Sequence, residues 1–291
     1  MWGDARLDDP EVAHARFTVL RIMVGVYVAV WTAVRSPALL DALDFAERRF
    51  DPVGPLFFLD RPLPDGLVVA AVVVTPLAGA AMAAGWRLRL SAPAAAFGFL
   101  LATTYRNSWG QLFHTENIVA LHLGVIAIAV FARPRERRWA IDAMAVLTVG
   151  TYLVAGIAKL RISGTAWLDG DVLRHQIAFD NARKELLGDV SSPFAGWLLR
   201  QSWLLGPAAV MTMVVELAAP FALLRARIAW AWSTLAFGFH VAILVFMAIL
   251  FPYHLLGIAL APLLPVERLG ATVVGWTSRF RPGSTTSLPP G

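Results

Sequence analysis

There is no cysteine among the 291 residues. That excludes disulfides, thiolate nucleophiles, thiolate-bound metals and thiol redox relays. Charge is scarce as well: 15% of the residues are Asp, Glu, Lys or Arg, against about 25% in a soluble domain. Lysine is close to missing, with two copies, Lys159 and Lys184, beside 23 arginines. The chain contains no G-x-G-x-x-G, Walker A or G-x-S-x-G pattern. Nucleotide-driven and serine-hydrolase chemistry therefore have no support. H-x-x-H, H-x-x-x-H and H-E-x-x-H spacings are absent too, and no metal site is expected.

What fills the chain instead is apolar. Hydrophobic residues make up 58%, and the mean hydropathy is +0.63. Counted against the ~20 residues a spanning helix needs, the apolar runs fall at 17–34, 67–85, 88–105, 117–131, 139–160, 203–224, 228–246 and 249–264. The expectation is an all-α polytopic membrane protein with about eight transmembrane helices and two long outer-side loops. The last run is short and follows Phe251-Pro252-Tyr253-His254, so a re-entrant piece is the alternative there.

Charge sorts the connections. Short, arginine-rich segments (Trp86-Arg87-Leu88-Arg89, residues 133–138 and Arg225-Ala226-Arg227) fall on one side with both termini. The positive-inside rule makes that side cytoplasmic. Arginines at membrane edges then account for the net charge of +5, and no nucleic acid is expected as a partner. The expected domain layout is a cytoplasmic segment over 1–16, a transmembrane domain over 17–265 and a mostly disordered cytoplasmic tail over 266–291. The first sixteen residues are acidic and do not read as a cleavable signal peptide. On the outer side, connections of 32 and 42 residues, 35–66 and 161–202, are long enough to predict function rather than simple linkage.

Lys159 falls at the outer end of the fifth run, within Thr151 to Gly170. A lysine in a span costs about 2.5–3.5 kcal/mol at mid-bilayer and marks a functional site by default; near a helix end it also snorkels to the interface. Tyr152, Ala155, Gly156 and Lys159 share one helical face by the i, i+3, i+4, i+7 rule. His114, His122, His240 and His254 fall near the same outer depth, with Asn117 opening the fourth run. Together they predict a polar cavity opening outward. Arg21 and Glu216 are read as a structural ion pair in the cytoplasmic half, since a lone buried charge needs a partner.

Several of these segments resemble one family. Phe17-Thr18-Val19-Leu20-Arg21-Ile22, Phe50-Asp51-Pro52-Val53-Gly54 and Leu59-Asp60-Arg61-Pro62-Leu63-Pro64 are similar to segments of the horizontally transferred transmembrane (HTTM) domain. So are Ala155-Gly156-Ile157-Ala158-Lys159-Leu160 with Trp167-Leu168-Asp169-Gly170, Glu216-Leu217-Ala218-Ala219-Pro220 and Phe239-His240. Vitamin K-dependent gamma-glutamyl carboxylases and many bacterial membrane proteins share that domain. The likeness runs over residues 15 to 265. The carboxylases have A-G-x-K-K-L where this chain has Ala158 before Lys159. They have an asparagine after F-H where Val241, Ala242 and Ile243 stand here. Their large lumenal region has no counterpart after the eighth run.

The resemblance implies a quinol-dependent carboxylase-like or oxygenase-like enzyme, a lyase in the plasma membrane whose site opens outward. Lys159 would be the base that deprotonates a reduced quinone (vitamin K hydroquinone or menaquinol). His114 and His240 would position quinol or carbon dioxide, and Tyr152, Gly156, Asn117 and His254 would line the cofactor site. The implied partners are the lipid bilayer and an exported peptide or protein substrate. The alternative is a non-catalytic HTTM protein acting in peptide maturation, immunity or transport.

Overall fold

The computed structural model describes residues 5–110 and 112–269. Every regular element in it is a helix. In chain order these are α1 (Pro10–Leu40), α2 (Asp65–Ala84), α3 (Leu88–Asn107), α4 (Asn117–Ala129), α5 (Arg138–Ser163), α6 (Asp171–Leu186), α7 (Ala195–Arg200), α8 (Ser202–Leu217), α9 (Ala226–Met247) and α10 (Pro252–Leu255). Among the described residues four helical stretches are long and apolar enough to cross a membrane: Pro10–Asp44, Asp65–Ala84, Pro134–Trp167 and Ala226–Met247. α4 and α8 are apolar but shorter, and α3 carries Arg89 and Arg106 near its two ends.

Two side-chain populations build the bundle. Phe17, Leu20, Val24 and Val28 of α1 pack on Phe99 of α3, Leu123 and Ile126 of α4, and Ile141 and Met144 of α5. A second core joins Val149 and Tyr152 of α5 to Val215 of α8, Trp232 and Ala236 of α9, and Leu260 and Leu263 beyond. Outside these cores Val30, Val34, Val73, Leu77, Phe97 and Trp230 lie exposed. Apolar patches of that extent are rare on soluble monomers, whereas a helix facing lipid carries them as a matter of course.

α1 and α2 cross at glycine. A Cβ on Gly25 would stand 2.8 Å from the Gly79 carbonyl oxygen, and one on Gly79 would meet the Gly25 oxygen at 3.0 Å. Small residues at a crossing let two backbones approach this closely.

Two boundaries depart from expectation. α1 starts at Pro10, well before residue 17, capped by the Asp9 side chain on the Glu11 amide at 2.8 Å. Residues 5–16 are thus largely helix, with Arg16 buried and paired with Glu267 at 2.7 Å. The long connections are folded, as their turn-forming and aromatic residues predict: 35–66 holds three short 3-10 turns, and 161–202 holds α6 and α7.

The largest departure is the eighth run. Instead of a spanning helix, 249–264 is the four-residue α10, a chain of turns and one 3-10 turn at Ala261–Leu263. Pro252, Gly257, Pro262 and Pro265 interrupt any longer helix, and Gly257 takes φ +72°. The segment is buried within the bundle, with Tyr253 and Ala259 fully enclosed. Thr148 Oγ1 donates to the Ala259 carbonyl at 2.7 Å. Irregular backbone at membrane depth is tolerated when protein satisfies its polar groups. The segment ends with Glu267 on Arg16, at the end of the bundle where α1 begins. Of the 266–291 tail, everything from 270 on lies outside the described residues.

Candidate functional site

Lys159 lies four residues from the end of α5. Its ammonium is ion-paired with Glu216 Oε1 of α8. The lysine side chain is 24% exposed and the glutamate 3%. Nζ sits 5.1 Å from the Trp167 ring centroid and 6.0 Å from that of Phe239. Aromatic faces attract a cation electrostatically while shedding water from it. Gly156, one turn before Lys159, permits this: a Cβ there would come within 3.0 Å of Glu216 Cβ and 2.9 Å of Leu217 Cδ2.

That pairing corrects the expected Arg21–Glu216 bridge. α8 begins beyond the end of α5, where Gly170 packs against Leu205 and Gly206. Glu216 therefore lies level with Gly156, not in the opposite half. Arg21 instead donates to the carbonyls of Met82 and Ala83. Those carbonyls at the end of α2 carry the negative end of its dipole and satisfy a cation without any carboxylate.

A second group stands beside the pair. The Tyr152 hydroxyl and His240 Nε2 share a hydrogen bond of 2.8 Å. The His240 and His254 rings stack with centroids 4.1 Å apart, and the Phe251 ring lies 4.8 Å from that of His240. Four polar atoms around this region are buried with no hydrogen-bond partner among the described residues: Glu216 Oε2, Trp167 Nε1, His240 Nδ1 and His254 Nδ1. Their residues are 3%, 6%, 5% and 7% exposed. Buried polar atoms are nearly always partnered, so four at one place call for an explanation such as a ligand. His122 is the contrast. It bonds to the Tyr253 hydroxyl, the Met144 carbonyl and the Thr148 hydroxyl, and has no capacity left.

The remaining expected residues divide. His114 is exposed, with its ring 5.7 Å from that of Phe251. It lines a cavity of about 1030 Å³ together with Ile22, Val26 and Val30 of α1 and Leu250 and Leu256. Lys159, Tyr152 and His240 do not line that cavity; Phe251 and His254 stand between. Asn117 is exposed at the start of α4, outside both the cavity lining and the histidine group. The expected single cavity is thus two neighbouring places, an apolar cavity and a polar cluster.

Sequence reasoning missed Glu216 as the partner of Lys159 and missed the rings of Trp167, Phe239 and Phe251. It also missed the charged rim of the cavity: Arg35 and Glu116 lie there with Asp180, Arg183 and Lys184 of α6. Aromatic residues following the lysine in the same segment were the one available signal, through Trp167. Comparison of the chain with protein-family models, curated proteins and solved structures finds no match.

Proposed function

We propose that this chain is a multi-pass membrane protein that binds a reduced quinone and removes a proton from it, as a quinol-dependent carboxylase-like enzyme. In this reading the HTTM-type domain makes about eight passes, seven helical and the last irregular. Both termini lie on the arginine-rich cytoplasmic side of the plasma membrane. The site opens outward, toward an exported peptide or protein acceptor.

The observation that carries the reading is the Lys159–Glu216 pair with its open oxygen. Lys159 contacts Glu216 through Oε1, so the atom free to take a proton is Glu216 Oε2, which is buried and unpartnered. Lys159 would then hold charge beside it rather than act as the lone base. Protonating the carboxylate leaves the ammonium without its counter-ion, ready to stabilise negative charge on the bound group. The cavity of about 1030 Å³ is mainly apolar, with His114 and Glu116 at its edge. It lies at the upper end of the ~300–1,000 Å³ usual for small-molecule sites. A reduced quinone would supply a phenolic proton and two electrons there. The stacked His240 and His254, with Tyr152, bridge the space between cavity and pair and have unpartnered nitrogens to offer.

A non-catalytic reading rests on one observation: Lys159 is neutralised and does not line the cavity. One experiment separates the two. Full-length protein in nanodiscs is titrated with menaquinol, read by quenching of tryptophan fluorescence, since Trp31 lines the cavity. Oxygen-dependent quinol consumption is then followed. The enzyme reading expects binding in all forms, and consumption that falls about a hundredfold or more in Glu216→Gln and Lys159→Ala. Binding without consumption in the unaltered protein, or no binding at all, defeats the enzyme reading and leaves the non-catalytic one.

A further inference from the structure

At the opposite end of the bundle the α2–α3 turn and the α4–α5 turn enclose a groove of about 640 Å³. Four arginines line it, Arg87, Arg89, Arg133 and Arg137, and no acidic side chain does. A fifth guanidinium stands behind it: a Cβ on Gly85 would lie 3.7 Å from a terminal nitrogen of Arg21. Like charges gathered without carboxylates repel one another, and this arrangement is stabilised by an anion. Two details sharpen that. Arg137 Nε is buried with no hydrogen-bond partner among the described residues, while the guanidinium rests on the Phe17 ring at 5.2 Å. Arg87 holds φ +43°, a left-handed conformation uncommon for a non-glycine residue.

The rest of the lining is apolar, with Leu88, Leu90, Val130 and Phe131 among it. Leu90, Phe131 and the neighbouring Trp86 are exposed. Exposed aromatics beside arginines are the composition of a membrane interface. A groove that is cationic at one level and apolar at the next matches a molecule with an anionic head and a hydrocarbon tail. We infer that this groove binds an anionic phospholipid of the surrounding membrane, its phosphate on the four arginines and an acyl chain along Leu88, Leu90 and Phe131. The site is separate from the Lys159 region and stands whether or not a quinone binds there.

The test uses full-length protein in nanodiscs of phosphatidylcholine doped with phosphatidylglycerol, with lipid retained after detergent extraction counted by native mass spectrometry. Arg89→Gln combined with Arg133→Gln removes two groove charges. Arg227→Gln removes an exposed arginine of the same sign outside the groove. At about 1 kcal/mol per basic residue near an anionic membrane surface, retention of phosphatidylglycerol is expected to weaken about thirtyfold in the double variant. It should be unchanged in Arg227→Gln and resist displacement by inorganic phosphate. Equal retention of phosphatidylcholine would overturn the inference. So would an equal loss with Arg227→Gln, which marks bulk charge, or displacement by phosphate alone, which marks a site for the free anion.

Discussion

Lys184 and Lys159 are the only lysines in the chain, each lies against an acid, and their surroundings differ in what is left over. Lys184 of α6 is 7% exposed. Its Nζ is 2.8 Å from Asp180 and donates to the carbonyls of Met247 and Ala248. An ammonium has three protons to give, and this one has three acceptor neighbours, two hydrogen-bonded carbonyls and the Asp180 carboxylate as an ion pair. Two of those acceptors are carbonyls at the end of α9, whose dipole welcomes a cation. Lys184 thus pins the 161–202 connection onto the end of α9. Lys159 has one carboxylate and two aromatic faces, and the second oxygen of that carboxylate faces no cation, whereas both oxygens of Asp180 do, Oδ1 facing Arg183 and Oδ2 facing Lys184. A saturated buried cation is a structural tie. An unsaturated one has capacity for a ligand or a proton.

The sharpest way to break this comparison is to delete each charge in turn. Lys184→Met should have the largest effect, since it leaves two buried carbonyls without their donor and Asp180 with Arg183 as its one remaining cation. Removing one partner of such a group costs about 3–5 kcal/mol, read as a lowered midpoint of thermal unfolding in detergent. Lys159→Met should cost less, about 1–3 kcal/mol. The ammonium is partly exposed to begin with, and the stranded Glu216 can take up a proton instead of remaining a buried anion. If Lys159→Met destabilised the fold as much as Lys184→Met, the division into a structural and a spare cation would fail.

The sequence already carried part of this. α1, α2, α5 and α9 were legible because each is a long apolar run without interior interruption strong enough to end it. The eighth run misled because hydropathy counts Pro252, Gly257 and Pro262 by their polarity, while their effect is on the backbone. Lys159 was legible as a costly charge; its partner was not. Pairing across helices depends on depth and rotation, and α8 ends at Leu217, so Glu216 lies at its end and not in the middle of the run 203–224. The same holds for Arg21, whose partners are backbone carbonyls with no sequence signature. The cavity rim was hidden for another reason. Asp180, Arg183 and Lys184 sit in a connection whose path over the bundle no periodicity reports.

The smallest expected effect tests how the unsaturated site is held together. Gly156 lets α5 approach α8 so closely that the carboxylate of Glu216 meets the lysine one turn away. In Gly156→Ala the new methyl stands 3.0 Å from Glu216 Cβ, tighter than ordinary contact, and Leu217 can move its side-chain tip more readily than Glu216 can move its Cβ. Overpacking of this kind costs about 1–3 kcal/mol, and the lower end is expected because one neighbour is flexible. The pair should suffer more than the fold. Parting the two helices by a few tenths of an ångström loosens the Lys159–Glu216 contact without touching Lys184. Gly156→Ala should therefore lower quinol consumption while leaving the unfolding midpoint within a few degrees of the unaltered protein. Combined with Lys159→Met it should add little further loss of function, because contacting residues are not additive. Full additivity would mean that Gly156 only packs helices and has no part in seating the pair.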